Sequence, residues 1–273
     1  MGLARKTATG AQRHPMRIDQ LLVSRGLAST RSQAQRLIAS GVRWRTDGAW
    51  KRVAKNGDVV APEAEIELLD RAEARFVSRG GLKLAGALEH VGLSVDGAVC
   101  LDLGQSTGGF TDCLLQRGAA HVVGVDVGFG QLHEQLRGDD RVTCLERVNA
   151  RSLSAVDMRN ALVHVRVAGH ADETAFDLIV ADLSFISQTL VLPAVAPMLK
   201  PGGVVLTLVK PQFELQPGQV GKGGIVTDTS MFGIVEQRLR AAHAALDWTV
   251  QAFFESSIHG GDGNREFFIY SIR

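Results

Sequence analysis

The chain has 273 residues, of which 45% are hydrophobic, 22% charged and 5% aromatic, a balance that excludes disordered, fibrous and collagen-like proteins and predicts one large domain with a small appendage. No run of 18 apolar residues is present, the segment MGLARKTATGAQRHPMR lacks the apolar core of a secretory signal, and the three cysteines (Cys100, Cys113, Cys144) are odd in number and outside any CxxC or Cys/His spacing. These features argue against membrane insertion, export, a disulfide framework and structural zinc, and predict a cytoplasmic protein whose cysteines are core residues.

The net charge of +1 conceals a split. Residues 1–60 hold 12 Lys/Arg against 3 Asp/Glu, and the other 213 residues hold 18 against 26, so +9 is offset by −8. A basic appendage for a polyanion, attached to an acidic body, is the reading that follows. Residues 1–15 form a basic tail expected to be disordered. From Arg17, the string RIDQLLVSRGLASTRSQAQRLIASGVRW predicts two short amphipathic helices. Leu21, Leu22 and Leu27 mark the first, which Gly26 stops; Ser29 or Thr30 caps the second, which holds Ala34, Leu37 and Ile38 at helical spacing and ends at Gly41. Arg25, Arg31 and Arg36 are left on the polar side. Val42, Trp44, Val53, Val59 and Val60 read as short strands. Over roughly residues 16–62 this pattern resembles the S4 RNA-binding domain, which implies an arginine-rich surface against RNA backbone made by Arg17, Arg25, Arg31 and Arg36. Arg43 and Arg45 flank Trp44 where a plainer V-x-V strand is common in that domain, and they add positive charge in the same direction. The S4-like domain is expected over residues 16–70.

A charged linker, residues 71–78, precedes the body, residues 79–273. Strands are predicted at Val99–Leu103, Val122–Val127, Val142–Glu146, Phe176–Leu183 and Val204–Val209, with helices between them that include Gly109–Gln116 and Ile186–Leu199. This βαβ alternation predicts a Rossmann-like α/β fold with a mostly parallel sheet. Two further strands, Thr249–Glu255 and Glu266–Ile272, are separated by the turn HGGDGN and predict a C-terminal antiparallel hairpin. Such sheets bind ligands beyond the carboxyl ends of their central strands, which directs attention to Leu103, Asp126, Asp182 and Lys210.

The first of these ends runs into DLGQSTGGF, residues 102–110. A P-loop requires GK[ST] and a dinucleotide fingerprint GxGxxG, and neither is present. An acidic, glycine-rich loop suits a ligand with a sulfonium and an ammonium group, and S-adenosylmethionine is such a ligand. Asp126 follows Asp102 by 24 residues, the position at which a carboxylate accepts ribose hydroxyls. Asp182 in VADLSFIS and Lys210 in LTLVKPQFE end neighbouring strands and fall in one crevice; Lys83 in GLKLAGALEHVGL and Glu266 in GNREFFIYSI are further candidates.

Together the strings SRGGLKL, DLGQSTGGFTDCLL, VDVGFGQLHEQLR, ADLSFIS, LVKPQFE, GKGGIV and GNREFF resemble the TlyA family, in which an S4 domain is joined to an FtsJ-like class I methyltransferase domain. The resemblance implies S-adenosylmethionine-dependent methylation of a ribose 2′-hydroxyl, of cytidine, in ribosomal RNA or ribosomal subunits. It implies a catalytic tetrad of Lys83, Asp182, Lys210 and Glu266, and a cofactor site of Asp102, Gly104, Ser106, Gly108, Gly109 and Phe110, with Asp126 at the ribose and Asn149 near the adenine. No metal, membrane or DNA partner is expected. Two departures stand out: Gln105 replaces a small loop residue, and residues 163–174 resemble an insertion.

The chemistry supports the same four residues. A 2′-hydroxyl attacks a sulfonium methyl only as its proton is drawn off, a role assigned to a neutral Lys210 with Lys83 as a second cation nearby. Asp182 is expected to orient Lys210, and Glu266 to hold Lys83. QPGQVGKGGIV, residues 216–226, reads as a mobile lip over the RNA site. The competing readings are a non-catalytic RNA-binding factor and, from an older hemolysin label in the family, a membrane-active protein; no apolar span supports the latter.

Overall fold

The computed structural model describes residues 14–69, 75–162, 175–260 and 263–273. The chain divides into two units, Met1–Arg75 and Phe76–Arg273. In the first, β1 (Met16–Arg17) runs into α1 (Ile18–Ser24), followed by α2 (Arg31–Gly41), β2 (Val42–Arg45), β3 (Lys51–Arg52), β4 (Val59–Val60) and β5 (Glu65–Leu68). Strands β3, β2 and β5 form an antiparallel sheet, and β1 pairs with β4. Gly26 turns the chain after α1 at φ +68°, a left-handed conformation that favours glycine. Thr30 caps α2, its hydroxyl oxygen accepting the Gln33 N–H at 3.1 Å. Ile18, Leu22, Leu37 and Val42 are fully buried between the helices and the sheet.

The second unit has α3 (Arg79–Val91), β6 (Val99–Leu103), α4 (Gly109–Gln116), β7 (His121–Asp126), α5 (Glu134–Arg137), β8 (Val142–Glu146) and α6 (Ala155–Leu162). After these come β9 (Phe176–Ala181), α7 (Leu192–Val195), β10 (Leu199–Val209), α8 (Pro211–Glu214), α9 (Ser230–Ala244), β11 (Thr249–Glu255) and β12 (Phe267–Ile272). Its seven-stranded sheet has the order β11-β12-β10-β9-β6-β7-β8. The strands from β8 to β10 are parallel, and β12 is antiparallel to both β10 and β11. Alternation along β6 sorts its side chains between two apolar layers: Cys100 joins Leu84, Leu88 and Leu114, whereas Leu101 and Leu103 join Met158, Leu192 and Val195. Cys113 is buried too, and Cys144 half-buried.

The structure departs from the sequence expectation in three places that shape the site. Strand β9 stops at Ala181, so Asp182 opens the following loop. The helix expected at Ile186–Leu199 is a series of single turns, Gln188–Leu190, Leu192–Val195 and Ala196–Met198. Pro193 and Pro197 lack the N–H groups that a continuous helix would need. Strand β10 begins at Leu199, its pairing with β9 shifting register before Val204. The expected insertion at 163–174, residues 1–13 of the basic tail and residues 71–74 of the linker lie outside the described residues. Among the described residues, no helix is long and apolar enough to cross a membrane.

Candidate active site

Strand β6 pairs with β7 on one side and β9 on the other, so the chain leaves their carboxyl ends in opposite directions and opens a crevice. A cavity of about 470 Å³ occupies it, walled by Gly104 and Ser106, by Asp126 and Gln131, by Asn149, and by Asp182 to Ile186. A neighbouring cavity of about 230 Å³ shares Gly104, Ser106, Asp182 and Ser184 and adds Ser78, Gly80, Gly109, Phe110 and Lys210.

Several of these walls are fixed by backbone. Gly104 has φ +77°, and a Cβ there would come within 2.8 Å of the Asp182 carbonyl oxygen, so the two loops close on each other only around glycine. The Asp126 carboxylate accepts the Ser106 N–H at 2.8 Å and the Gly128 N–H at 2.6 Å, which locks its rotamer at the cavity wall. Asn149 uses its Oδ1 on the Arg151 N–H at 3.0 Å, and its amide NH2 is the donor that remains.

Asp102 and Gly108 line neither cavity. Period-2 alternation turns Asp102 toward the α4 side of the sheet, where it is fully buried and accepts the Thr111 hydroxyl at 2.7 Å. Thr111 in turn accepts from the Gln105 amide at 2.9 Å. Burial pushes the Asp102 carboxyl up to about 7, and its Oδ1 has no hydrogen-bond partner. Gly108 (φ +91°) starts α4 where a Cβ would strike Leu136, and Gly109 lets α4 meet Ser78 and the Gly81 backbone. These residues build the loop from beneath.

The tetrad resolves into two ion pairs. Lys210 Nζ lies 2.6 Å from Asp182 Oδ1 and donates to the Ser184 hydroxyl oxygen at 2.8 Å. Asp182 Oδ1 is buried and makes no hydrogen bond, so its contact with Nζ is ionic. Lys83 Nζ meets Glu266 Oε2 at 2.5 Å with both groups buried. Lys83 is therefore neutralised by its own counterion and is not the bare second cation that the sequence argument placed beside Lys210.

Sequence reasoning missed Ser184 and Phe185. Phe185 is 90% exposed, has φ +64° and rests against Phe213, with ring centroids 5.0 Å apart. A large aromatic in left-handed backbone and open to solvent is costly twice over, and such strain collects at binding sites. Residues 216–226 were expected to be a mobile lip; here Asn264, in the GNREFF string, accepts the Val226 N–H and donates to the Gly224 carbonyl, each at 2.9 Å. That end of the segment is fastened.

The six arginines expected to contact RNA all have partners, which for five of them lie within the first unit. Arg17 and Arg31 both reach the buried Asp19, at 2.9 and 3.1 Å, and hold its carboxyl well below the usual range. Arg25 donates to the carbonyls of Ala64 and Pro62. Arg43 pairs with Glu67 and Arg45 with Glu65, each at 2.7 Å, and both guanidinium groups lie over Trp50. Arg36 also has a partner.

Residues 76–273 match the family model of the FtsJ-like methyltransferases, and residues 16–41 that of the S4 domain. The 16S/23S rRNA (cytidine-2′-O)-methyltransferase TlyA of Mycobacterium tuberculosis is 42% identical over 93% of this chain and 88% of its own length. The chain belongs to the TlyA family, an S4 domain joined to an FtsJ-like methyltransferase. Among its relatives, Hemolysin A of Brachyspira hyodysenteriae is 34% identical over 94% of this chain and 100% of its own length. A solved structure of a protein named as a hemolysin from Streptococcus thermophilus superposes with a TM-score of 0.70 at 39% identity, over 95% of this chain and 88% of that one.

Proposed function

We propose that this chain methylates a ribose 2′-hydroxyl of cytidine in ribosomal RNA, with the S4 unit docking the RNA. The observation that carries the reading is the Lys210–Asp182–Ser184 cluster at the carboxyl ends of the sheet, where Asp182 and Ser184 line both of two adjoining cavities and Lys210 lines the smaller one. The donor set around the larger cavity fits S-adenosylmethionine. In this reading Asp126 would take the ribose hydroxyls, the Asn149 amide the adenine, and the backbone of Gly104 to Ser106 the amino-acid end, with Gly109 and Phe110 lining the adjoining space. When bound, that cofactor supplies an electrophilic methyl group on a sulfonium.

The chain's own residues position the acceptor and move its proton. An incoming 2′-hydroxyl meets Lys210 Nζ and the exposed side of the Asp182 carboxylate, whose buried Oδ1 faces Nζ. As the hydroxyl oxygen takes the methyl group and the methyl–sulfur bond breaks to leave a neutral thioether, the hydroxyl proton would pass to the Asp182 carboxylate, and Ser184 keeps Lys210 Nζ aimed. The Lys83–Glu266 pair is the buried support of the arrangement, tying α3 to the start of β12. Positioning of this kind is worth up to about 7–11 kcal/mol of a barrier in favourable cases. Phe185, at the rim, offers a face on which the target base can stack once it leaves its helix.

Ribosomal subunits incubated with radiolabelled methyl donor, then mapped for alkali-resistant linkages, test the reading, because a 2′-O-methyl group blocks backbone hydrolysis. The expected result is one resistant cytidine linkage that Lys210→Ala abolishes while cofactor binding persists. Label on a base, or undiminished turnover by Lys210→Ala, overturns it.

A further inference from the structure

The two members of the Lys210–Asp182 pair sit on separate segments, and those segments are cross-linked at their far ends by groups that never reach the cavities. The loop after β9 holds Asp182, Ser184 and Phe185 and ends at Ser187 and Gln188. The segment after β10 holds Lys210 and Phe213 and ends at Glu214. Glu214 is 2% exposed. Its Oε2 accepts the Ser187 hydroxyl at 2.5 Å, and its Oε1 accepts the Gln188 N–H at 2.8 Å. Gln188 is itself pinned to β10, donating to the Leu208 carbonyl and accepting from the Thr207 hydroxyl, both at 2.7 Å. Arg238 of α9 donates to the Glu214 carbonyl from behind.

The contacts between the segments form rungs in order: Asp182 with Lys210, Ser184 with Lys210, Phe185 with Phe213, and Ser187 with Glu214. The first three rungs are at least partly open to solvent, where ion pairs and aromatic contacts hold geometry loosely. The last is buried and doubly hydrogen-bonded, and it closes the ladder. We propose that Glu214 is a positioning residue that sets the gap between Lys210 and Asp182 by tying the 182–187 loop to α8. The proposal rests on the functional reading above and deepens it. Burial pushes the Glu214 carboxyl up from its ordinary value, and glutamine is the neutral side chain of the same shape. Glutamine keeps an acceptor for the Gln188 N–H and turns a donor toward Ser187; alanine removes both.

The test compares full-length Glu214→Ala, Glu214→Gln and Ser187→Ala in steady-state methyl transfer, with crystal structures of each. Glu214→Ala is expected to lower kcat by on the order of 10- to 100-fold, the loss typical of a small misplacement of reacting groups, and to leave the KM for the methyl donor within about threefold. Glu214→Gln is expected to restore kcat to within about threefold of wild type. In crystals, the Lys210 Nζ to Asp182 distance opens in Glu214→Ala and stays near 2.6 Å in Glu214→Gln. Full kcat in Glu214→Ala, a loss confined to KM, or an equal loss in Glu214→Gln overturns the proposal. If Glu214→Ala does not fold, Ser187→Ala decides: an unchanged kcat with an unchanged Nζ to Asp182 distance also overturns it. The crystallographic distance needs no turnover, so a wild-type chain that transfers no methyl group defeats the functional reading and leaves the ladder to be judged by its geometry.

Discussion

The Gln105 side chain lies across Gly124, filling the space that a Cβ on that strand residue would require: such an atom would stand 1.9–2.2 Å from the Gln105 amide group. The larger loop residue is thus matched by the smallest strand residue beneath it. Gly124→Ala is expected to destabilise the second unit by about 1–3 kcal/mol through overpacking and to weaken binding of the methyl donor, because Gln105 must leave Thr111. Adding Gln105→Ala to Gly124→Ala is expected to recover most of both losses. Chemical melts and cofactor titration of the two single variants and the double variant measure the coupling; strictly additive effects sink the explanation.

Asp102 predicts a pH dependence of stability. Its folded carboxyl titrates near 7 instead of the ordinary ~4, because burial penalises the anion. Between those values the folded state binds the proton and the unfolded state releases it. This group's contribution to stability is therefore complete below about pH 4 and declines as pH rises toward 7, by at most ~1.4 kcal/mol per unit. Asp102→Asn removes the titration. Urea melts from pH 4.5 to 8 are expected to show wild type losing stability relative to Asp102→Asn as pH rises; parallel curves for the two proteins refute the assignment.

Spacing and alternation made the sheet legible: β6, α4, β8 and β11 begin and end where the apolar periods in the sequence place them. Lys210 and Asp182 were legible too, because a charge ending an apolar strand must emerge at one edge of the sheet. The face on which Asp102 falls was harder to read. A motif shows that a carboxylate adjoins a glycine loop, but the parity of β6 decides whether it looks into the cavity or into the core. Helix polarity and the S4 resemblance mark the arginines as RNA donors but not their own acceptors, and Asp19, Glu65 and Glu67 lie up to 24 residues away along the chain. Phe185 was missed because an aromatic in an apolar string reads as core, and its exposure comes from a φ that the sequence does not mark.

The paired arginines should differ in their effect on RNA. Arg43 and Arg45 are held by Glu67 and Glu65 and stacked on Trp50, so each gives up little net charge to a phosphate. Arg17 and Arg31 share the single buried Asp19, so one positive charge is left over. Arg31→Ala is expected to weaken RNA binding and lower the salt slope by about 0.7–0.9, the value of one lost phosphate contact, while Arg43→Ala changes the slope little. Binding of a ribosomal RNA fragment across a salt series checks this, and equal slopes for the two variants would sink it.

Phe185 offers the sharpest separation of binding from folding. Its ring is 90% exposed, so removing it takes away almost no buried area, and Phe185→Ala is expected to melt within about 0.5 kcal/mol of wild type. Stacking on one base is worth about 1–3 kcal/mol, so the same variant should lose on the order of 5- to 150-fold in kcat/KM for RNA. Phe185→Tyr keeps the aromatic face and is expected to retain most of the activity. Left-handed backbone is costly for a large side chain, and beyond its contact with Phe213 only a partner arriving from solvent gives the Phe185 ring something to cover. Methyl transfer to ribosomal subunits by both variants, with melts in parallel, measures the two quantities separately. Unimpaired kcat/KM in Phe185→Ala would show that the target base stacks elsewhere.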